Sequence, residues 1–186
     1  MRKIEFSVSE KYNGAPLYYF LRECAGVSTR IIQTLRHTPK SVFINGKESR
    51  VIDKVKTNDK IEVFLPEKTE PPILWETALD VIYEDEDLLI INKPSGVSVH
   101  PTRNHPNGTL CNAVAAYLKN EGNENFVARA VGRLDKVTSG VMVFAKNAFV
   151  ASKLNGNLDK TYIALAEGVL EGEGTVNAPI YRPDIN

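Results

Sequence analysis

No apolar run in this 186-residue sequence approaches the roughly 20 residues that a bilayer-spanning helix needs, so no membrane span is expected. The opening stretch MRKIEFSVSE lacks the apolar region of a signal peptide, and the chain is read as cytoplasmic. Cysteine is scarce as well. Cys24 and Cys111 stand far apart and suggest neither a disulfide framework nor a zinc-ligand pairing. Internal repeats and low-complexity tracts are absent. Net charge is absent too: 23 basic residues balance 23 acidic ones, which taken alone argues against nucleic acid as a partner. What remains, 42% hydrophobic and 25% charged, is the composition of a globular protein.

The zero conceals an asymmetry. Residues 1–66 carry 12 Lys and Arg against 7 Asp and Glu, a net +5, and residues 67–186 carry 11 against 16, a net −5. Such a split between halves is a compositional hint of nucleic-acid binding. The boundary lies in the stretch Pro66 to Thr77, PEKTEPPILWET, whose prolines bias the backbone toward extended conformations. The chain therefore divides into residues 1–66, a linker over 67–78, and residues 79–186.

Within the first part, residues 15–26 have helical spacing, with Leu17, Phe20 and Leu21 on one face and Gly26 as the stop. Ser28 can cap a second helix running to about His37, with Ile31, Ile32 and Leu35 inward and Arg30 and Arg36 outward. SVFINGKES alternates like a strand and breaks at an Asn45-Gly46 turn, and DKIEVFLPE alternates again. This compact basic module resembles the S-four-like RNA-binding domain, through GVSTRIIQTL, VFINGK and NDKIEVFLPE. The resemblance implies that Arg30, Arg36 and Lys40 meet RNA.

The second part reads as α+β. Strands are expected at 79–83, 88–92, 141–145 and 161–166, with helices over 109–119, capped by Thr109, and around 147–155. Few, irregularly placed helices suit a mixed or antiparallel sheet better than a regular parallel array. The most informative run is GRLDKVTSG, Gly132 to Gly140, which feeds the apolar strand VMVFA. It places the carboxylate of Asp135 between two cations, Arg133 and Lys136, and a nearby cation favours the ionised carboxylate. Thr138, Ser139 and Gly140 add turn chemistry and hydroxyls able to fix the loop. From physics alone a structural turn with a salt-bridged Asp would account for it.

The run resembles the signature of the RluA-type pseudouridine synthases, in which Arg-Leu-Asp is followed by a Thr-Ser-Gly turn and an apolar strand. Two flanking runs resemble the same family: DEDLLIINKPSGVSVHPT, with Lys93, Pro94 and Gly96, and DKTYIALAEG, with a Lys two positions before Tyr162. The resemblance implies an enzyme that isomerises uridine in structured RNA, large-subunit rRNA or else tRNA. It assigns Asp135 as the catalytic carboxylate and Tyr162 as the active-site aromatic. Arg133 would fill the space of the flipped-out base or hold a phosphate, with Lys136, Thr138 and Ser139 beside it on the RNA. No cofactor is implied. No metal is expected either, since His100, His105 and Cys111 are irregularly spaced in a loop stiffened by Pro101 and Pro106.

In two respects the match departs from the family. Gly132 stands where many members have a histidine. Members also continue beyond the equivalent of Ile180 into a motif whose basic residue pairs with the aspartate. The expectation is therefore an incomplete catalytic domain, inactive alone and a monomer when complete. A non-catalytic RNA-binding module and a hydrolase using Asp135 in glycoside chemistry are the competing readings, and the second lacks the paired acid such enzymes need.

Overall fold

A computed structural model describes residues 2–65, 73–120, 127, 129–169, 171–179 and 181. Residues 67–72 of the expected linker lie outside these. The elements in chain order are β1 (Arg2–Ser7), a 3-10 turn (Glu10–Tyr12), α1 (Leu17–Glu23), α2 (Thr29–Arg36), β2 (Val42–Ile44), β3 (Lys47–Glu48) and β4 (Lys60–Leu65). There follow β5 (Val81–Glu84), β6 (Leu88–Lys93), α3 (Leu110–Asn120), β7 (Arg129–Val131), β8 (Gly140–Ala145) and α4 (Ala148–Leu154). Two antiparallel four-stranded sheets result, ordered β1-β4-β2-β3 and β5-β6-β8-β7. The protein is thus α+β.

Local chemistry accounts for most of the first sheet's neighbourhood. The Ser28 hydroxyl accepts a hydrogen bond from the Ile31 amide and starts α2, whose Ile31, Ile32 and Leu35 are buried. Asn45 and Gly46 both take positive φ, 53° and 77°, which is what a two-residue hairpin turn between β2 and β3 demands. Along β4, Ile61, Val63 and Leu65 alternate into the core formed with Leu17, Phe20 and Leu21 of α1. The helix expected over 15–26 is shorter, because Pro16 occupies its N-cap and the helix ends at Glu23 with Cys24 as its C-cap. Strand β1 alternates too, turning Ile4 and Phe6 to the core between exposed Lys3, Glu5 and Ser7, and its register is set by its pairing with β4.

The second core lies between α3 and one face of the β5-β6-β8-β7 sheet, with Leu110, Val114 and Leu118 against Leu89, Ile91, Met142 and Phe144. Thr109 does cap α3, and the cap is reciprocal. Its hydroxyl accepts from the Asn112 amide while the Asn112 side-chain oxygen accepts from the Thr109 amide. Asn112 also holds the incoming chain, donating to the Ile73 carbonyl at 2.8 Å, while its own carbonyl accepts from the Trp75 amide. Helix α4, which follows β8 of the second sheet, packs on the first core: Phe149 lies edge-on against Phe6 of β1, with ring centroids 6.0 Å apart.

One expectation fails. Residues 161–166 form no strand, and Ile163 and Leu165 are fully exposed. Alternation and β-branched residues favour a strand only where another strand supplies hydrogen-bond partners and a face to pack on, and none among the described residues does so.

A polar cluster closes the start of the second sheet. Burial alone would raise the Glu84 carboxyl. Hydrogen bonds from the Lys146 ammonium and the Tyr117 hydroxyl, with the ammonium's charge, instead hold it below the ordinary carboxylate value. A carboxyl depressed in the folded state contributes stability that is complete above its unfolded pKa and is lost as pH falls through the folded one. Glu84→Gln is expected to lower the melting temperature at neutral pH by about 2–4 °C, and the deficit should disappear in strong acid. Melting curves followed by circular dichroism across pH check this. A deficit that persisted in acid would mean that shape and not charge is responsible.

Candidate active site

The Gly132–Gly140 loop leaves β7 and returns into β8. Gly132 has φ of +74° and Gly140 of +130°, values that β-carbon-bearing residues rarely adopt, so glycine permits the reversal at each end. Between them Leu134 is the buried foot of the loop, and Asp135 projects, three-quarters exposed. Arg133 Nη2 lies 3.6 Å from Asp135 Oδ1. Lys136 is exposed as well and makes no ion pair among the described residues. The hydroxyls of Thr138 and Ser139, which the sequence offered as ties for the loop, make no hydrogen bond among the described residues. The loop's inner bond runs from the Thr138 amide to the Asp135 carbonyl at 3.1 Å.

The outer bonds come from the segment after β6. Strand parity places Lys93 on the same face as Leu89 and Ile91, so a lysine points into the core and is fully buried. Its ammonium donates to the carbonyls of Pro94 at 2.9 Å, Val97 at 2.8 Å and Lys136 at 3.1 Å. Burial pushes the Lys93 ammonium below the ordinary lysine value. Three accepting oxygens match the three donors of an ammonium, where a neutral amine has only two. The Gly96 amide donates to the Lys136 carbonyl and the Ser95 hydroxyl to the Val137 carbonyl. The carboxylate therefore stands on a loop tied to the sheet from beneath. In the sequence Lys93 stands out only as part of a motif; the alternation of Leu89, Ile91 and Lys93 is the signal that its side chain turns inward.

Tyr162 is placed differently. It stands 59% exposed in the irregular stretch after α4, with no hydrogen bond or ring contact among the described residues. The nearest tie between this stretch and the loop is Lys160, whose ammonium lies 3.4 Å from the Arg133 carbonyl.

In the first module, Arg36 and Lys40 line a groove of about 280 Å³ at the C-terminal end of α2, together with Arg50. An adjoining groove shares Arg36 and adds Arg22 and Tyr18. Arg30 lines neither; it is exposed in the first turn of α2. Arg22 and Arg50 are not apparent from sequence, because they reach the groove from α1 and from the chain after β3.

His100 and Cys111 do meet, Nδ1 to Sγ at 3.5 Å, and burial pushes the Cys111 thiol up to about 11. Among the described residues no group of three His, Cys, Asp or Glu could hold a metal ion.

Residues 87–185 match the family model for RNA pseudouridylate synthase, and the chain belongs to that family. It is 35% identical over 189 residues to the uncharacterized RNA pseudouridine synthase YhcT of Bacillus subtilis, covering 97% of this chain and 62% of that one. It is 46% identical over 111 residues to the ribosomal large subunit pseudouridine synthase D of Buchnera aphidicola, covering 56% of this chain and 35% of that one. With its namesake from Pseudomonas aeruginosa the identity is 42% over 111 residues, covering 56% and 34%. The chain spans about three fifths of the length of the relatives that align with most of it.

Proposed function

We propose that the protein isomerises uridine to pseudouridine in structured RNA, with large-subunit ribosomal RNA as the substrate. The observation that carries this is Asp135, an exposed carboxylate held on a loop anchored by Lys93 within the segment that matches the family. The choice of ribosomal RNA draws on the relatives named for the ribosomal large subunit.

The reaction breaks the bond from uracil nitrogen 1 to the ribose anomeric carbon, turns the base, and joins that carbon to uracil carbon 5. Carbon 5 loses a proton and nitrogen 1 ends with one, so no atom is gained or lost overall. Asp135 acts on the sugar, where a carboxylate can attack the anomeric carbon, balance oxocarbenium-like charge or remove a sugar proton. Tyr162 stacks on the uracil and relays the carbon 5 proton through its hydroxyl. The target base leaves its stack at a cost of a few kcal/mol, and Arg133 takes the vacated place or holds a phosphate, with Lys136, Thr138 and Ser139 along the same strand.

In this reading residues 1–66 are an S-four-like RNA-binding domain, joined through residues 67–78 to the catalytic domain over 79–186. Its contact surface is the groove of Arg36 and Lys40, with Arg30 on the helix above. The test uses the full-length protein with unmodified large-subunit rRNA transcript carrying tritium at uracil carbon 5. Tritium release together with pseudouridine in the digested RNA is expected; release from a tRNA transcript alone would move the substrate to tRNA. Absence of release from either RNA would overturn the proposal.

A further inference from the structure

The net charge of −5 over residues 67–186 is unevenly spread. Between Leu88 and Leu158 there are eight Lys and Arg but only three acids, Glu121, Glu124 and Asp135, so the acids gather on either side. From Leu88 to Asn120 there is no Asp or Glu at all. Inside that acid-free stretch, residues 100–107 form an exposed loop with Arg103 at its tip. Arg103 makes no hydrogen bond or ion pair among the described residues.

The loop is nonetheless held. Thr102 and His105 exchange both backbone hydrogen bonds at 3.0 Å, closing a tight turn with Arg103 and Asn104 at its apex. At its base the Leu110 and Cys111 amides donate to the Ser98 and Val99 carbonyls. Its other root is the 93–97 segment that latches the Asp135 loop through Lys93, Ser95 and Gly96. A lone exposed arginine is ordinarily a solvated charge. Here the guanidinium is presented on a closed turn, without carboxylate competitors nearby in sequence, and on the chain that carries the catalytic loop. The ordering cost of the turn's backbone is already met in the free protein, and only the arginine side chain has still to be fixed.

We propose that this turn is a further RNA-contact surface, in which Arg103 holds a phosphate of the RNA whose uridine enters at Asp135. The inference rests on the proposed function. A phosphate is the fitting ligand because the guanidinium fork pairs two donors with two phosphate oxygens, and RNA supplies a phosphate at every nucleotide. A backbone contact of this kind positions the strand without reading its sequence.

The test measures binding of the full-length protein carrying Asp135→Asn to unmodified large-subunit rRNA transcript across a series of KCl concentrations. Adding Arg103→Ala should weaken binding and reduce the slope of log Kd against log salt by about 1, and Arg103→Lys should restore the slope. With Asp135 intact, Arg103→Ala should raise KM and leave kcat unchanged. An Arg103→Ala protein with the parent's slope and KM overturns this inference and leaves the proposed function standing. A parent that binds no RNA overturns both.

Discussion

Asp135→Asn is expected to lower pseudouridine formation by roughly three to four orders of magnitude, the range lost when a catalytic acid-base group is removed. RNA affinity should stay close to that of the parent. The amide keeps the volume and the hydrogen-bonding outline of the carboxylate but carries no charge and cannot attack or take up a proton. The side chain is three-quarters exposed and makes no buried contact, so the substitution should leave folding unchanged. It also removes the partner of Arg133, an exposed pair whose contribution to stability is small. Single-turnover tritium release and a filter-binding titration separate the two effects. Turnover within tenfold of the parent would remove Asp135 from its assigned role.

Lys93→Met is expected to cost roughly 2–5 kcal/mol of stability, at about 1–3 kcal/mol for each buried carbonyl deprived of its donor, and so to lower the melting temperature by on the order of 10 °C. Methionine matches the length and apolar stem of lysine, so the core around Leu89, Ile91 and Met142 stays filled. The lost groups are the three donors. The carbonyls of Pro94 and Val97 would keep their desolvation cost without the ammonium, and the Lys136 carbonyl would be left with the Gly96 amide alone. Replacing a whole ion pair by apolar groups can be neutral, but here the acceptors are backbone and cannot be replaced along with the lysine. The Lys136 carbonyl belongs to the Asp135 loop, so kcat should fall further than the melting temperature alone explains. Lys93→Arg should rescue poorly, since a planar guanidinium does not fit three oxygens gathered around one ammonium. Melting curves and kcat at a temperature where both proteins are folded test this. A Lys93→Met protein with the parent's stability and kcat would show that the latch does not hold the loop.

Elements whose causes are local are legible in the amino-acid order itself. Ser28 as a cap, the inward stripe of α2, the Asn45-Gly46 turn and the alternation of β4 each depend on residues within a few positions of one another. The candidate site is legible in the same way, because Arg133 and Asp135 share one short loop and their proximity needs no distant contact. The family, too, can be read from short runs, and the match over 87–185 agrees with it.

Pairing across distance is not legible. β1 exists because β4, far along the chain, offers a register for it, and β7 is three residues long and defined by its neighbour β8. The same dependence works in reverse at 161–166, where propensity suggests a strand and no partner among the described residues makes one.

Charge shows the division most clearly. Sequence alone determined how many cations and anions there are, and which stand side by side in the chain. Only the tertiary structure decided what each cation does. Strand parity buries Lys93 among carbonyls, a sheet corner pairs Lys146 with Glu84, and a closed turn leaves Arg103 in solvent. The physical reason is that a charge acts through the few ångströms around it, and folding chooses those neighbours from the whole chain.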